Sequence, residues 1–536
     1  MSAQETRAEQ LARLAARTDW SKVTDLYTGE RYGPDVLAEL WATDRITADD
    51  TCVNLRFAAM GDGSSVSGAA AEILPFLVAA ARDPDVTVRF EILRTIADIA
   101  GTGNTAPTAK VDRILEGRWR PTVDAAWPDA WERAAEELLP LLDDGDSLIR
   151  AGAIRALAQS AAHADSLIVD FRARFDVEAD LWSAGRLVLG VGELARHGTG
   201  RREEALAWLR HRMTVEGKGA EPDIDQDLDA WIAWDEEIRH DVRLQAVEAL
   251  CGALPEHTDP LYAPVTTAAL LASSAATAYP PAECFSSRID DITEADRRLG
   301  ADLPGRLALA HALLPHDRSD ERAGGLRVAA TLISRWRSAV PALLPAVAER
   351  VSDARPENRV FALRVLAMCG AAARPWADRV AAHLSPAEEP DEPTREHAAW
   401  ALSRMGDQRC VPYLVELLRT RGDFAHHPTG SIDRRWNRGD LSLAEALAPF
   451  AAHSDVRLAL QPSEPAAAEQ IPHDHHSDAM AVVRRLCRLP SDPAQVAPHL
   501  RALLDADERP VRHDDWRSVR DDEALCAAAR AVLDAG

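Results

Sequence analysis

"DARPENRVFALRVLAMCG", residues 353–370, and "DEPTREHAAWALSRMGD", residues 391–407, share one pattern. Each opens on an acidic turn containing proline. An arginine follows, Arg359 or Arg395, and apolar residues stand three, four and seven positions after it: Ala362, Leu363 and Leu366 in the first, Ala398, Ala399 and Leu402 in the second. That spacing puts the three side chains on one stripe of a helix, and the alanine at its edge lets a neighbouring helix approach closely. Each stretch therefore predicts an amphipathic helix built to pack against others.

The same register recurs upstream. "DPDVTVRFEILRTIADIAG" sets Arg89 before Ile92, Leu93 and Ile96, and "DGDSLIRAGAIRALAQSA" sets Arg150 before Ala153, Ile154 and Leu157. "RHDVRLQAVEALCGAL" sets Arg243 before Ala246, Val247 and Leu250. Several of these helices follow another apolar one, as in "AAEILPFLVAAARD", "RAAEELLPLLDD" and "AVPALLPAVAERVSD", so the unit is two helices joined by a short acidic turn. Neither helix buries its stripe alone, whereas stacked pairs bury it continuously. The expected fold is all-α: an α-solenoid, or superhelix, of two-helix repeats with insertions. Arg359 and Arg395 lie 36 positions apart, close to one paired-helix repeat, but Arg89 and Arg150 lie 61 apart, so insertions break the period.

These residues resemble the HEAT-repeat family, in its short PBS-lyase HEAT-like form, whose second helix reads roughly V-R-x-x-A-A-x-A-L-x-x-x-G. The resemblance is clear over residues 69–254 and 320–420. The N-terminal stretch "TDWSKVTDLYTGERYGPDVLAELWATD", with Trp20, Tyr27, Tyr32 and Trp41 as apolar anchors, looks like the start of HEAT-like proteins found in high-GC bacteria. The expected organisation is a helical capping segment at 1–68 and HEAT-like repeats at 69–254, with insertions at 101–130 and 211–237. Further helical repeats follow at 255–420, irregular loops and a connector at 421–478, and a C-terminal helical cap at 479–536.

Composition agrees with closely packed helices. Of 536 residues 46% are hydrophobic but only 5% aromatic, so alanine, leucine and valine supply the core. With 61 Lys+Arg against 86 Asp+Glu the net charge is −25, which disfavours nucleic acid because phosphate backbones are repelled. The seven cysteines are scattered, with no CxxC pair, as expected of small buried residues in a reducing compartment. "MSAQETRAEQLARLAAR" has no continuous apolar core of a secretory signal, and residues 260–282 are too rich in Thr, Ser, Ala and Pro for a membrane span. A cytoplasmic protein is expected.

Insertions in such arrays often carry recognition. Residues 101–130 bring Trp119 and Trp127 to a turn-rich segment that serves either as a recognition loop or as a cover over helix ends. Residues 421–440 gather Arg434, Arg435 and Arg438 around Trp436, residue types suited to an acidic protein surface or a phosphate. Asp223, Asp225, Asp227 and Asp229 alternate like a calcium loop, but Leu228 and Trp234 stand where an EF-hand needs Gly and Glu. "IPHDHHSD", residues 471–478, offers His473, His475 and His476 as secondary metal candidates, although Asp478 has an ordinary role as a helix N-cap. Glu396 and His397 resemble the pairs of HEAT-type di-iron hydroxylases only in composition, since their order is reversed and not repeated.

No Walker loop, GxSxG elbow, HExxH or dinucleotide fingerprint is present. The sequence thus names no catalytic residue and implies no cofactor. A repeat array without a catalytic constellation leads to the expectation of a scaffold for a protein partner, regulatory or of immunity type, acting without catalysis. Its alternatives are a small-molecule-binding lyase or chaperone-like HEAT protein, and a HEAT-like glycosylase on DNA, which the net charge disfavours. The oligomeric state stays open.

Overall fold

The expected stripes are the buried ones. In the computed structural model all fifteen apolar residues of the five aligned helices, from Ile92 to Leu402, are at most 2% exposed. Full burial of a leucine or isoleucine contributes about 1.5–3 kcal/mol, so this register governs how the helices face one another. The structure describes residues 6–25, 29–60, 65–105, 122–198, 200–214, 242–254, 259–274, 287–421, 443–459, 493–510 and 516–535. Among these there is no β-strand, only isolated bridges such as Thr24 with Arg31.

The chain divides into two compact units, residues 1–259 with 268–276, and residues 260–267 with 277–536. The first contains α1 (Arg7–Arg17), α2 (Pro34–Ala38), α3 (Arg45–Met60), α4 (Gly68–Arg82), α5 (Arg89–Gly103), α6 (Trp127–Leu138), α7 (Ser147–Leu157), α8 (Ala164–Val177), α9 (Leu181–His197), α10 (Arg202–Thr214) and α11 (Val242–Ala253). Helices α3, α5, α7, α9 and α11 pack in succession as one layer. Helices α4, α6, α8 and α10 lie against that layer as a second, and each neighbours a helix adjacent to it in sequence. Close approach is achieved with small residues: a Cβ on Gly192 of α9 would lie 2.6 Å from that of Ala249 of α11.

The second unit repeats the plan. Beyond α12 (Tyr262–Ser274), whose residues 268–274 belong to the first unit, it has α13 (Ser287–Arg298), α14 (Leu303–Leu313), α15 (Ser319–Arg335), α16 (Ala339–Glu349), α17 (Pro356–Cys369), α18 (Ala377–Ala381), α19 (Glu392–Met405) and α20 (Val411–Thr420). Helices α13, α15, α17 and α19 form the continuous layer, with α14, α16, α18 and α20 against it. The remaining helices are α21 (Leu443–Leu447), α22 (Ser454–Ala459), α23 (Pro493–Asp505) and α24 (Trp516–Ala535); α24 folds back onto α15 and α17. Two strong ties fix that return. Arg337 grips Asp522 at 2.7 and 2.9 Å, and Arg509 pairs with the same carboxylate. Residues 356–384 are long and apolar enough to cross a membrane by composition, but 56% of an apolar 18-residue stretch within them is buried in the unit and the chain turns at Gly370.

In several repeats the marking arginine is a joint. Arg89 reaches Asp144 at 2.5 Å, Arg150 reaches Glu178 at 2.8 and 2.9 Å, and Arg359 reaches Glu389 at 2.8 Å. Arg322, which belongs to the same series, holds Asp353 at 2.6 and 2.9 Å. The receiving acid lies in the turn opening a following helix pair or a later helix, and it accepts there from the backbone N–H two residues on. That turn's own arginine then donates back to a carbonyl six residues earlier, as Arg150 to Asp144, Arg359 to Asp353 and Arg395 to Glu389. The acidic turns therefore tie each unit's stack together through bidentate and charge-assisted hydrogen bonds.

At the N-terminus, Arg7 of α1 and the Trp41 indole N–H both donate to Asp83, at 2.8 and 2.9 Å. Asp83 stands where later turns receive the arginine of the preceding repeat. The N-terminal segment thus supplies the donors to this turn.

Candidate functional site

Trp127 begins α6 and is fully buried, stacked on Trp131 with ring centroids 5.8 Å apart. Its indole N–H donates to Asn104 Oδ1 at 3.0 Å. Trp119, Arg434, Arg435, Trp436, Arg438, the aspartate series at 223–229 and the histidines His473, His475 and His476 lie outside the described residues. Glu396 and His397 are buried, and the His397 Nδ1–H donates to the Pro393 carbonyl at 2.7 Å within their own helix.

Burial dominates thiol chemistry among the described residues. It pushes Cys52, Cys369 and Cys410 up to about 12 and Cys251 up to about 11, which leaves them protonated at neutral pH. The turn acids are held the other way. Burial works to raise Asp353 and Glu389, but hydrogen bonds from Arg322 and Arg359 outweigh it and keep both below their ordinary values. Such groups are structural counter-ions and poor proton acceptors.

Two surfaces stand apart from this internal chemistry. On α3, Ile46, Val53 and Phe57 are 71%, 44% and 44% exposed, and their spacing of seven and four puts them on one helix face. They are three of the seven large hydrophobic side chains exposed among the described residues, so the apolar surface is concentrated there. The opposite face of α3, with Ala48, Cys52, Leu55 and Ala59, is buried.

The second feature is a cleft of about 220 Å³ in the C-terminal unit, where Arg374, Arg404 and Arg520 meet Trp400 and Ser403. Its walls follow from two helix ends. Helix α17 stops at Gly370, with φ +51°, and α19 stops at Gly406, with φ +73°, a left-handed conformation that glycine adopts without steric penalty. Gly406 closes a Schellman motif: its N–H donates to Ser403 O and that of Asp407 to Leu402 O, both at 2.9 Å. Each glycine faces the other helix end's arginine, since a Cβ on Gly406 would lie 2.8 Å from Arg374 Nη2 and one on Gly370 3.4 Å from Arg404 Nη2.

Carbonyls at these helix ends orient the guanidinium groups. Arg374 Nε donates to Met405 O at 2.6 Å, and Arg404 Nε to Ala367 O at 3.3 Å. Helix α24 brings Arg520, which pairs with the adjacent Asp521 at 2.9 Å, and the Ser403 hydroxyl donates to Ala446 O. Burial lowers Arg404 below the ordinary guanidinium value; Glu523 opposes that shift and the charge of Arg520 adds to it. None of the three arginines comes from a contiguous motif. The signal available in sequence was the helix-ending glycine beside an arginine in "SRMG".

Residues 340–425 match the family model described as HEAT repeats. Among solved structures, Kap121p bound to RanGTP is 13% identical, covering 99% of this chain and 52% of that one, with a TM-score of 0.34. Kap121p bound to Pho4p is 14% identical, covering 98% and 52%, with a TM-score of 0.33. A structure from work on the phosphorylation switch between cadherin and β-catenin is 12% identical, covering 93% and 99%, with a TM-score of 0.24. The chain spans about half the length of the Kap121p chains it matches. No curated protein matches it.

Proposed function

We propose that this chain, whose residues 340–425 are HEAT repeats, is a scaffold that binds a protein partner and acts by binding, without chemical turnover. The observation that carries this reading is the apolar row Ile46, Val53 and Phe57 on α3, held outward while the opposite face of the same helix is locked in the core. Apolar side chains presented together on a rigid helix favour docking, because little ordering is required to bury them. The joints of the same unit, Arg89 with Asp144 and Arg150 with Glu178, brace the layer on which α3 packs, and the protonated Cys52 thiol and the arginine-paired acids there support a binding role over a catalytic one.

A photocrosslinker placed at Asp50, on the exposed face between Ile46 and Val53, tests this in cells of the source organism. The expected result is one dominant protein adduct, lost when Ile46, Val53 and Phe57 are all replaced by serine. An unchanged adduct pattern in the triple variant, or no protein adduct at all, would overturn the reading.

A further inference from the structure

We propose that α23 and α24, with residues 506–510 after α23, form a strap that opens and closes as one unit on the C-terminal repeats, latched by Arg337, and that its opening uncovers the end of α17 at Cys369. This stands independently of the partner-binding reading, since it concerns the other unit of the chain. The strap lies against α15 and α17, and α23 packs chiefly on α24.

Ties from the strap to the repeats gather at the turn after α15. Arg337 donates there to the carbonyls of Leu503, Leu504 and Ala506 at 2.8, 3.2 and 2.6 Å, and to both oxygens of Asp522 at 2.7 and 2.9 Å. One guanidinium thus holds the end of α23 and an acid within α24. Beside it, the Ser338 N–H and hydroxyl donate to Asp507, both at 2.7 Å, and Arg335 Nε donates to Glu508 at 2.8 Å. The Arg509 N–H donates to the Arg335 carbonyl at 2.8 Å, so the two stretches run antiparallel about the bridge between Trp336 and Glu508.

The charges are divided so that opening strands no buried acid. Asp522 is buried, but it also accepts from Arg509, which belongs to the strap, so the carboxylate keeps a cation when Arg337 lets go. The joints of the repeats are built otherwise: Asp353 has its bidentate partner, Arg322, on another helix, and separating them leaves the acid without it. Apolar burial points the same way. Among the described side chains α23 buries Leu500 alone, whereas α15 is buried at most positions from Glu321 to Ser334. Segments with few buried apolar side chains and hydrogen bonds near solvent are those that open locally first. Cys369, buried at the end of α17, lies close enough to the strap for Arg509 and Glu523 to act on its thiol, so it reports on the opening.

The test is hydrogen exchange of the full chain read by mass spectrometry, with iodoacetamide labelling of Cys369 alongside. Amides of α23 and α24 are expected to share one level of protection, lower than that of α13 in the same unit. Arg337→Gln is expected to speed exchange in both strap helices, and labelling of Cys369, by about tenfold or more, with α13 unchanged. Ser338→Ala, at an exposed side chain, removes one hydroxyl bond to the strap and is expected to speed both by about threefold. This milder variant carries the test should Arg337→Gln not fold. Protection graded from the end of α24 inward, acceleration that extends equally to α13, or labelling of Cys369 unmoved by the variants would overturn the proposal.

Discussion

Arg322 donates to both oxygens of Asp353, Nε at 2.6 Å and Nη2 at 2.9 Å, across 31 residues of sequence. The carboxylate is 1% exposed and the guanidinium 11%. Removing one member of such a pair leaves the other desolvated and unpaired, which is far more costly than the net worth of the pair. Asp353→Asn is expected to lower the stability of the C-terminal unit by about 3 kcal/mol. Arg322→Lys is expected to lose about 1–2 kcal/mol, because an ammonium cannot make both bonds. Urea denaturation followed by circular dichroism measures both, and a change under about 0.5 kcal/mol in either would show that the joint is ornamental to stability.

The same joints set the acid limit of the fold. Asp144, Glu178, Asp353 and Glu389 each feel burial, which would raise them, but hydrogen bonds from arginine outweigh it and hold them below the ordinary 3.8 for Asp and 4.5 for Glu. The folded chain therefore binds these protons less tightly than the unfolded chain. Their stabilisation is complete above the ordinary carboxyl range and is lost as pH falls through the depressed folded values. Urea midpoints should be insensitive to these groups from pH 7 to about 5 and should drop steeply below about pH 4. Glu389→Gln should start lower at pH 7 and fall less between those limits; an equal fall would exclude Glu389 as a source.

What the sequence disclosed follows from distance along the chain. The stripes after Arg89, Arg150, Arg359 and Arg395 were legible because helix periodicity is a local property, and all of them are buried. The arginine's partner was not, because Asp144 and Glu389 stand 55 and 30 residues beyond Arg89 and Arg359. One clue was local and available: an acid six residues before the arginine, as in Asp353 and Arg359, whose carbonyl and guanidinium meet. Arg322 fits the register too, with Gly325 in place of the usual alanine and Leu326 and Ala329 after it. The arginine cleft was illegible for the opposite reason, since Arg374, Arg404 and Arg520 come together only after α24 folds back.

Gly406 separates backbone cost from side-chain crowding. Its φ of +73° is left-handed, and an added Cβ would sit 2.8 Å from Arg374 Nη2, the movable tip of a long side chain. The guanidinium can swing away, so the penalty of Gly406→Ala comes mainly from the backbone, about 1–2 kcal/mol. Gly145, where a Cβ meets nothing within 4 Å, should tolerate alanine within about 0.5 kcal/mol. Thermal melts distinguish the two.

The buried thiols report on how tightly the helical layers stay closed. Cys52 sits on α3 with its sulfur 3.3 Å from Thr95 Oγ1 of α5, and Cys369 ends α17. Burial pushes both up to about 12, so at pH 7.5 their thiolate fraction is below about one in ten thousand. Labelling by iodoacetamide then requires local opening of the layer, and its rate measures the free energy of that opening. Peptide mapping of the native chain should find Cys52 and Cys369 unmodified under conditions that label free cysteine fully, and fully modified in denaturant. Asp353→Asn should accelerate labelling of Cys369, which shares its unit, and leave Cys52 unchanged. Acceleration at both would mean that the two units open together, and the joints would then have to be treated as parts of one cooperative array.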